Sequence, residues 1–561
     1  MDTKNKTYLI AAVVIIALVT VFGLSGKARR TQVTTPSPVE NASGQSQTAR
    51  ISILSLPTID PQLFNASQSH VVIKGFGEGL IRTFKGEVRP GAAERWEVSD
   101  DNKTMTFYLR ENACWSDGSP LTAHDFVYAF RRLADQKTGA DYRWVLSEIV
   151  GGEEIAYGDN PPPVEELGVK ALDDRTFQIS FHTPAPYYLG FLDMPCFYPT
   201  KQELVEKYGD KYAGSAETIL GNGPFKIAEY LVDQSITMVP NENYWDAESI
   251  KLDEVKILIM ESEAAFALAE TGELDMTINI PLDAAPRFME DPSLLPEKVG
   301  VTSFVNGAVD WFSINIASES NQILGNLDFR LALNYALDRE EYIKVSSAGL
   351  YSPATRLVLP IVSGVSGYYA DEHPMDIYKA TAELDKAKDH LGKAMSAMGI
   401  TDPSEISFAV TIADTTPKAI AENVQDQWQR NLGVKVTIET VTYKAMLANR
   451  TAGKFDLIYA GWIPDFDDPY TYLSYFASSN SQNGGKYSNE RYDYLVNSAN
   501  SYSDPSTRLS MYAEAEKILL EEAGIIPLQV RQVPYAYNKS FKNYARFYLG
   551  GEIDYTYAYF E

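Results

Sequence analysis

The stretch DLIYAGWIPDFDDPY, Asp456 to Tyr470, sets three carboxylates, Asp465, Asp467 and Asp468, between an apolar run and a proline. Two carboxylates flanking a scissile bond are the equipment of a glycosidase. Asp467 and Asp468 do not suit that task, because adjacent residues on an extended segment point to opposite sides. Asp465 and Asp467 can share a side, but carboxylates in a loop ahead of a proline usually cap turns. The five histidines, His70, His124, His182, His373 and His390, make no tight pair with each other or with cysteine, so no metal set is expected. G-x-S-x-G, H-E-x-x-H and phosphate-loop patterns do not occur. No cofactor is expected either. What remains is a carboxylate placed to meet a cation.

The elements around this run decide where it sits. FDLIYAG reads as a buried strand, and the acidic run begins just beyond its carboxyl end, where α/β sheets hold ligands. TMTFYLR (Thr104 to Arg110) and TFQISFH (Thr176 to His182) alternate as strands do, and SITMVPNENYW follows the same logic into a turn. TAHDFVYAFRRLAD opens with Thr122 and has Asp125 three residues on, a capping-box spacing with Asp in place of Glu or Gln. LDFRLALNYALDREEYIKV predicts one long helix over Leu327–Val345. ENVQDQWQRNLGVKVTIETV predicts a helix, a stop at Gly433 and a strand. TRLSMYAEAEKILLEEAGIIPLQV repeats that order. The expected class is α/β, in several domains.

The 561 residues carry a formal charge of −26. The first 50 hold six Lys/Arg and two Asp/Glu, which leaves a body still more acidic than the whole. Such a body argues against nucleic-acid binding, which needs clustered Lys and Arg. The basic KNK and the apolar run Tyr8–Leu24 describe a signal peptide or a membrane anchor over 1–30. The polar stretch to Arg50 reads as a flexible linker, 31–50, with the folded body starting near Ile51. Export makes a Cys114–Cys196 disulfide an option, with two buried free thiols as the alternative.

The blocks GEGLIRTFKGEVRPGAAERWEVSDDNKTMTFYLRENACWSDGSPLTAHDFVYAFRRLAD, LGVKALDDRTFQISF, GNGPFKIAEY, NENYWD, GELDM, FRLALNYALDRE, QRNLGVKVTIET and FDLIYAGWIPDFDDPY follow one another at family spacing. Together they resemble the periplasmic oligopeptide-binding proteins, family 5 of the ABC-transporter solute-binding class (peptide and nickel binders). The resemblance implies a periplasmic binding protein-like fold: two main lobes with a hinge, plus an inserted third domain. Lobe I takes 51–77, 201–304 and 530–561, the inserted domain II takes 78–200, and lobe III takes 305–529. It implies a non-catalytic, exported, monomeric receptor that hands oligopeptides to an ABC permease.

In the family an Asp after the G-W-x-x motif meets the ligand ammonium, and Asp465 in GWIPDF holds that place. Trp462 and Gly461 are expected beside the ligand backbone, with Gly461 allowing close approach. The resemblance makes FNASQS, Phe64 to Ser69, a strand that pairs with the ligand through Asn65, Ala66 and Ser67. Arg450 matches a carboxylate-binding Arg of the family. Tyr459 stands where another Arg is usual, and Pro417 where a His is usual. Tyr443 falls where an aromatic lines a side-chain pocket. These departures leave open a different peptide length or another solute, such as a sugar, a nickel chelate or a signalling peptide. A carboxylate-based hydrolase and a chaperone-like surface protein are the rivals outside the binding class.

Overall fold

The computed structural model describes residues 47–480, 482–546 and 553–561. The leader expected over 1–30 lies outside the described residues, as does nearly all of the expected linker. Strand β1 spans Thr48–Ile53, so the folded chain begins three residues ahead of Ile51. The polar residues Thr48 and Arg50 are drawn in by a parallel ladder with Glu254–Ile259 and by the Arg50–Asp275 ion pair at 2.8 Å. Among the described residues no helix is long and apolar enough to cross a membrane.

Two unusually long strands, β2 (Val299–Ile314) and β4 (Ile525–Asn538), lie at the centre of one large mixed sheet. Between them in sequence comes β3 (Leu457–Trp462), the strand expected to lead into the acidic loop. On one side of the long pair, β3 joins β2 antiparallel and is followed by Ser407–Ala413 and Lys435–Val441, both parallel. On the other side, β4 joins Met276–Thr277, which leads to β1, Glu254–Ile259 and two further antiparallel strands. Val299–Val305 pairs with Gln532–Asn538, and Val309–Ser313 with Ile525–Val530. The register slips between Val305 and Val309, where Gly307 takes a φ of +84° that side-chain-bearing residues rarely adopt. From Gly300's neighbour Val301 to Asn306 the strand is half-exposed, and beyond Gly307 it is buried. The sheet is thus two packed halves joined by two strands whose shared middle is thinly covered.

A separate four-stranded antiparallel sheet, built from residues 93–180, packs under its own core. Helix α2 (Ala123–Ala134) buries Phe126, Phe130 and Leu133 in that core, and α1 (Ser67–Phe76) precedes it in sequence. The α2 capping box is formed: Asp125 accepts from the Thr122 backbone N–H at 2.8 Å and hydroxyl at 2.9 Å. Gly433 ends the helix Lys418–Leu432 in the left-handed conformation, as its sequence predicts. The single helix expected over Leu327–Val345 is two: α3, Leu327–Tyr335, and α4, Arg339–Ser347. Asp338 causes the break by capping α4, its carboxylate accepting the Glu341 N–H at 2.8 Å. Cys114 and Cys196 are both free thiols, not a bridge. Cys196 is sealed in the small-sheet core among Phe130, Tyr188 and Phe197, and burial pushes its thiol up.

Candidate functional site

The loop after β3 divides its side chains among several tasks. Phe466 inserts into the core of the small-sheet domain, stacked on Tyr187 at 4.9 Å and against Phe191 at 4.6 Å. Asp468 accepts the Tyr470 N–H at 3.0 Å, capping the turn at Pro469, and pairs with Arg508 at 2.5 Å. Asp467, expected to cap the same turn, instead accepts the backbone N–H of Ser363 at 2.9 Å and its hydroxyl at 2.6 Å. Asp465 has none of this. Only its backbone N–H is engaged, donating to Thr471 Oγ1 at 3.2 Å, and among the described residues its carboxylate meets no cation and no donor.

That carboxylate lines a cavity of about 590 Å³ between the small-sheet domain and the loop after β3. Tyr142, Trp144, Tyr187 and Tyr470 form much of the wall, and Trp462 and Tyr475 close one side with their rings 5.5 Å apart. Burial with no compensating charge pushes the Asp465 carboxyl up to about 7. Tyr142 is pushed up to about 12, first by burial and then by the Asp465 charge. Pockets of this size with aromatic walls and few polar groups are the usual form of small-ligand sites.

A second cavity, of about 500 Å³, shares Trp462 with the first. It holds Gly461, Tyr459, Arg450 and Tyr443, with Pro417 also in its lining. Arg450 is half-buried, its guanidinium 5.9 Å from the Tyr475 ring, with no ion pair among the described residues. Tyr459 is buried, and its hydroxyl accepts from Gln529 at 3.4 Å. Tyr443 is exposed at the rim rather than packed in a core. The charged residues of the first lining are Glu148 and Asp465; those of the second are Arg450 and Arg531. Arg531 is paired with Asp310, so the charge without a counter-ion in the second lining is Arg450.

Gly461 lines the second cavity and also has a packing role. A Cβ there would lie 2.3 Å from Asp310 Oδ1, so the glycine makes room for a buried carboxylate. Asp310 is held by Arg531 at 2.7 and 2.9 Å and by Gln529 at 2.8 Å. The segment expected to pair with ligand over Phe64–Ser69 is extended only through Ala66, because Ser67 opens α1. Burial of Val71, Val72, Ile73 and Phe76 on that helix outweighs the turn preference of its serines. Asn65, Ala66 and Ser67 line neither cavity. They lie close by, however: Asn65 donates to Asp141 at 3.1 Å, and Phe64 packs on Tyr142 at 4.9 Å. Sequence reasoning missed Phe466 and the aromatic wall of the small-sheet domain. The one signal for them is the abundance of aromatic residues, which carries no address.

The structure superimposes on MppA, a periplasmic murein tripeptide binding protein in its unliganded open form, with a TM-score of 0.79 at 27% identity, covering 92% of this chain and 98% of that one. With Haemophilus influenzae OppA in complex with the peptide RPPGFSPFR the TM-score is 0.67, at 28% identity and coverage of 92% and 99%. The dipeptide-binding protein DppE of Bacillus subtilis is 31% identical over 500 residues, 88% of each chain. Residues 87–484 match the sequence profile of the bacterial extracellular solute-binding proteins, family 5. With both cavities and the two-stranded connection in place, these likenesses make the chain a member of the family 5 bacterial extracellular solute-binding proteins.

Proposed function

We propose that this protein captures oligopeptides outside the cytoplasm and passes them to an ABC-transporter permease. The observation that carries the reading is Asp465: a carboxylate without a partner, in an aromatic hollow, with its proton affinity raised by burial alone. A peptide ammonium supplies the missing charge, and a charge-assisted hydrogen bond there contributes roughly 1.5–3 kcal/mol. Arg450, unpaired in the adjoining hollow, suits the ligand's carboxylate. The ligand's backbone polar groups need partners once enclosed, and the extended Phe64–Ala66 supplies a short edge for them.

Closure brings that edge to the ligand. In this reading lobe I is 51–77, 201–304 and 530–561, lobe III is 305–529, and β2 and β4 bend where their registers slip. Domain II, 78–200, supplies the aromatic wall. The protein acts as a monomer, is exported by its N-terminal segment, and binds without turnover. Family membership supports binding over hydrolysis, and Asp467 and Asp468 support it too, since both are committed to structural contacts.

The test is Asp465→Ala titrated calorimetrically with a short peptide and its N-acetylated form. The free-amine peptide is expected to lose about 10- to 100-fold in affinity, while the acetylated peptide, already weak, changes little. Equal losses for both would refute the ammonium role.

A further inference from the structure

We propose that the hollow around Asp465 selects peptides whose first residue carries a cationic side chain, lysine or arginine, in addition to the free amino group. This rests on the peptide-capture reading and goes beyond it. A single ammonium needs a single counter-charge, and Asp465 provides it. The hollow has a second carboxylate, Glu148, contributed from the opposite wall by the small-sheet domain. Glu148 accepts from the Thr183 hydroxyl at 3.0 Å and lies 4.0 Å from His182 Nε2. That ring nitrogen donates to the Ser147 carbonyl at 2.7 Å. Among the described residues neither Asp465 nor Glu148 is paired with a lysine or arginine, and no lysine or arginine lines the hollow. One bound ammonium answers Asp465 and leaves Glu148, its side chain 32% exposed, as a second carboxylate of the same lining.

The walls fit a second cation. Tyr142 and Trp144 stand with ring centroids 6.1 Å apart, and Tyr187 and Tyr470 face each other at 5.0 Å. Aromatic faces attract ammonium and guanidinium groups, and most strongly where water is excluded. They also cover the methylene stem of such a side chain. An acidic side chain, by contrast, would meet two carboxylates and no donor cation. In the neighbouring hollow Arg450, which has no ion pair among the described residues, disfavours the cation there.

The experiment uses the purified full chain and three synthetic peptides: Lys-Ala-Ala, norleucine-Ala-Ala, which keeps the stem without the charge, and Glu-Ala-Ala. Calorimetry at pH 7.5 should rank them in that order, with lysine favoured over norleucine by about tenfold or more. In Glu148→Gln that ratio should fall below about threefold. Trp144→Leu, at a partly exposed position, should also lower it. Equal affinity for the lysine and norleucine peptides in the unmutated protein would overturn the proposal alone. So would a Glu148→Gln variant that weakens both by the same factor. Binding of none of the three would overturn the peptide-capture reading along with it.

Discussion

A carboxylate enclosed without a cation prefers its proton, and Asp465 is in that position. Its carboxyl titrates at about 7 instead of in the usual range near 4. Ammonium binding needs the ionised form, so below pH 7 the ligand must displace a proton. Affinity for a free-amine peptide is therefore expected to fall by up to about tenfold per pH unit between 7 and 5, while Asp465→Asn shows a flat, weak profile; calorimetry at pH 5.5 and 7.5 decides it. For stability the sign is the reverse of an ion-paired aspartate. A carboxyl raised in the folded state contributes stability that is fully present below pH 4 and lost as the pH rises through 7. Asp465→Asn should thus melt higher than the unmutated protein at pH 8 and level with it at pH 4. Asp467 and Asp468 differ in being engaged already, by Ser363 and Arg508.

Helices α3 and α4 show what an element owes to one side chain. Their joint sequence has unbroken apolar spacing, yet Ala336–Asp338 turns the chain, and Asp338 captures the first free N–H groups of α4. Asp338→Ala is expected to cost about 1 kcal/mol in urea unfolding, with ligand affinity unchanged because the cap lies outside both hollows. The capping box of α2 and the stop at Gly433 were legible in the sequence, since each depends on residues within four positions. Strand β3 was legible for the same reason. Phe466 was not: in sequence it is one apolar residue among three carboxylates, and its partners Tyr187 and Phe191 lie more than 270 positions away. Nor was the role of Gly461, which depends on Asp310 across the sheet. Asp465 was legible as a candidate through the family's motif; spacing alone placed it only beyond a strand end.

At the scale of the whole molecule, the proposed closure would bend β2 and β4 at their thinly covered middle. Ser303 and Ser352 are bridged there by Gln532, at 2.6 and 2.9 Å, so few bonds beyond the ladder resist bending. Small-angle scattering should show a smaller radius of gyration with saturating peptide than without. An unchanged curve would mean that the two halves are fixed and that capture involves no closure.

The arrangement of the ends has a consequence for biosynthesis. Gln47 exchanges hydrogen bonds with the backbone of Phe560, at 3.2 and 2.8 Å. Deeper in, Lys74 and Arg82 are buried around Asp554; burial opposes its charge, yet Arg82 and Lys74 hold its carboxyl well below the usual range. Asp554 stands 472 positions after Arg82, so those two cations gain this counter-ion only late in synthesis. A nascent chain halted before Ile525 lacks Tyr535, Phe541, Ile553 and Tyr555, so the core around β1 closes late, whereas the small-sheet core has all its members but Phe466 by Phe197.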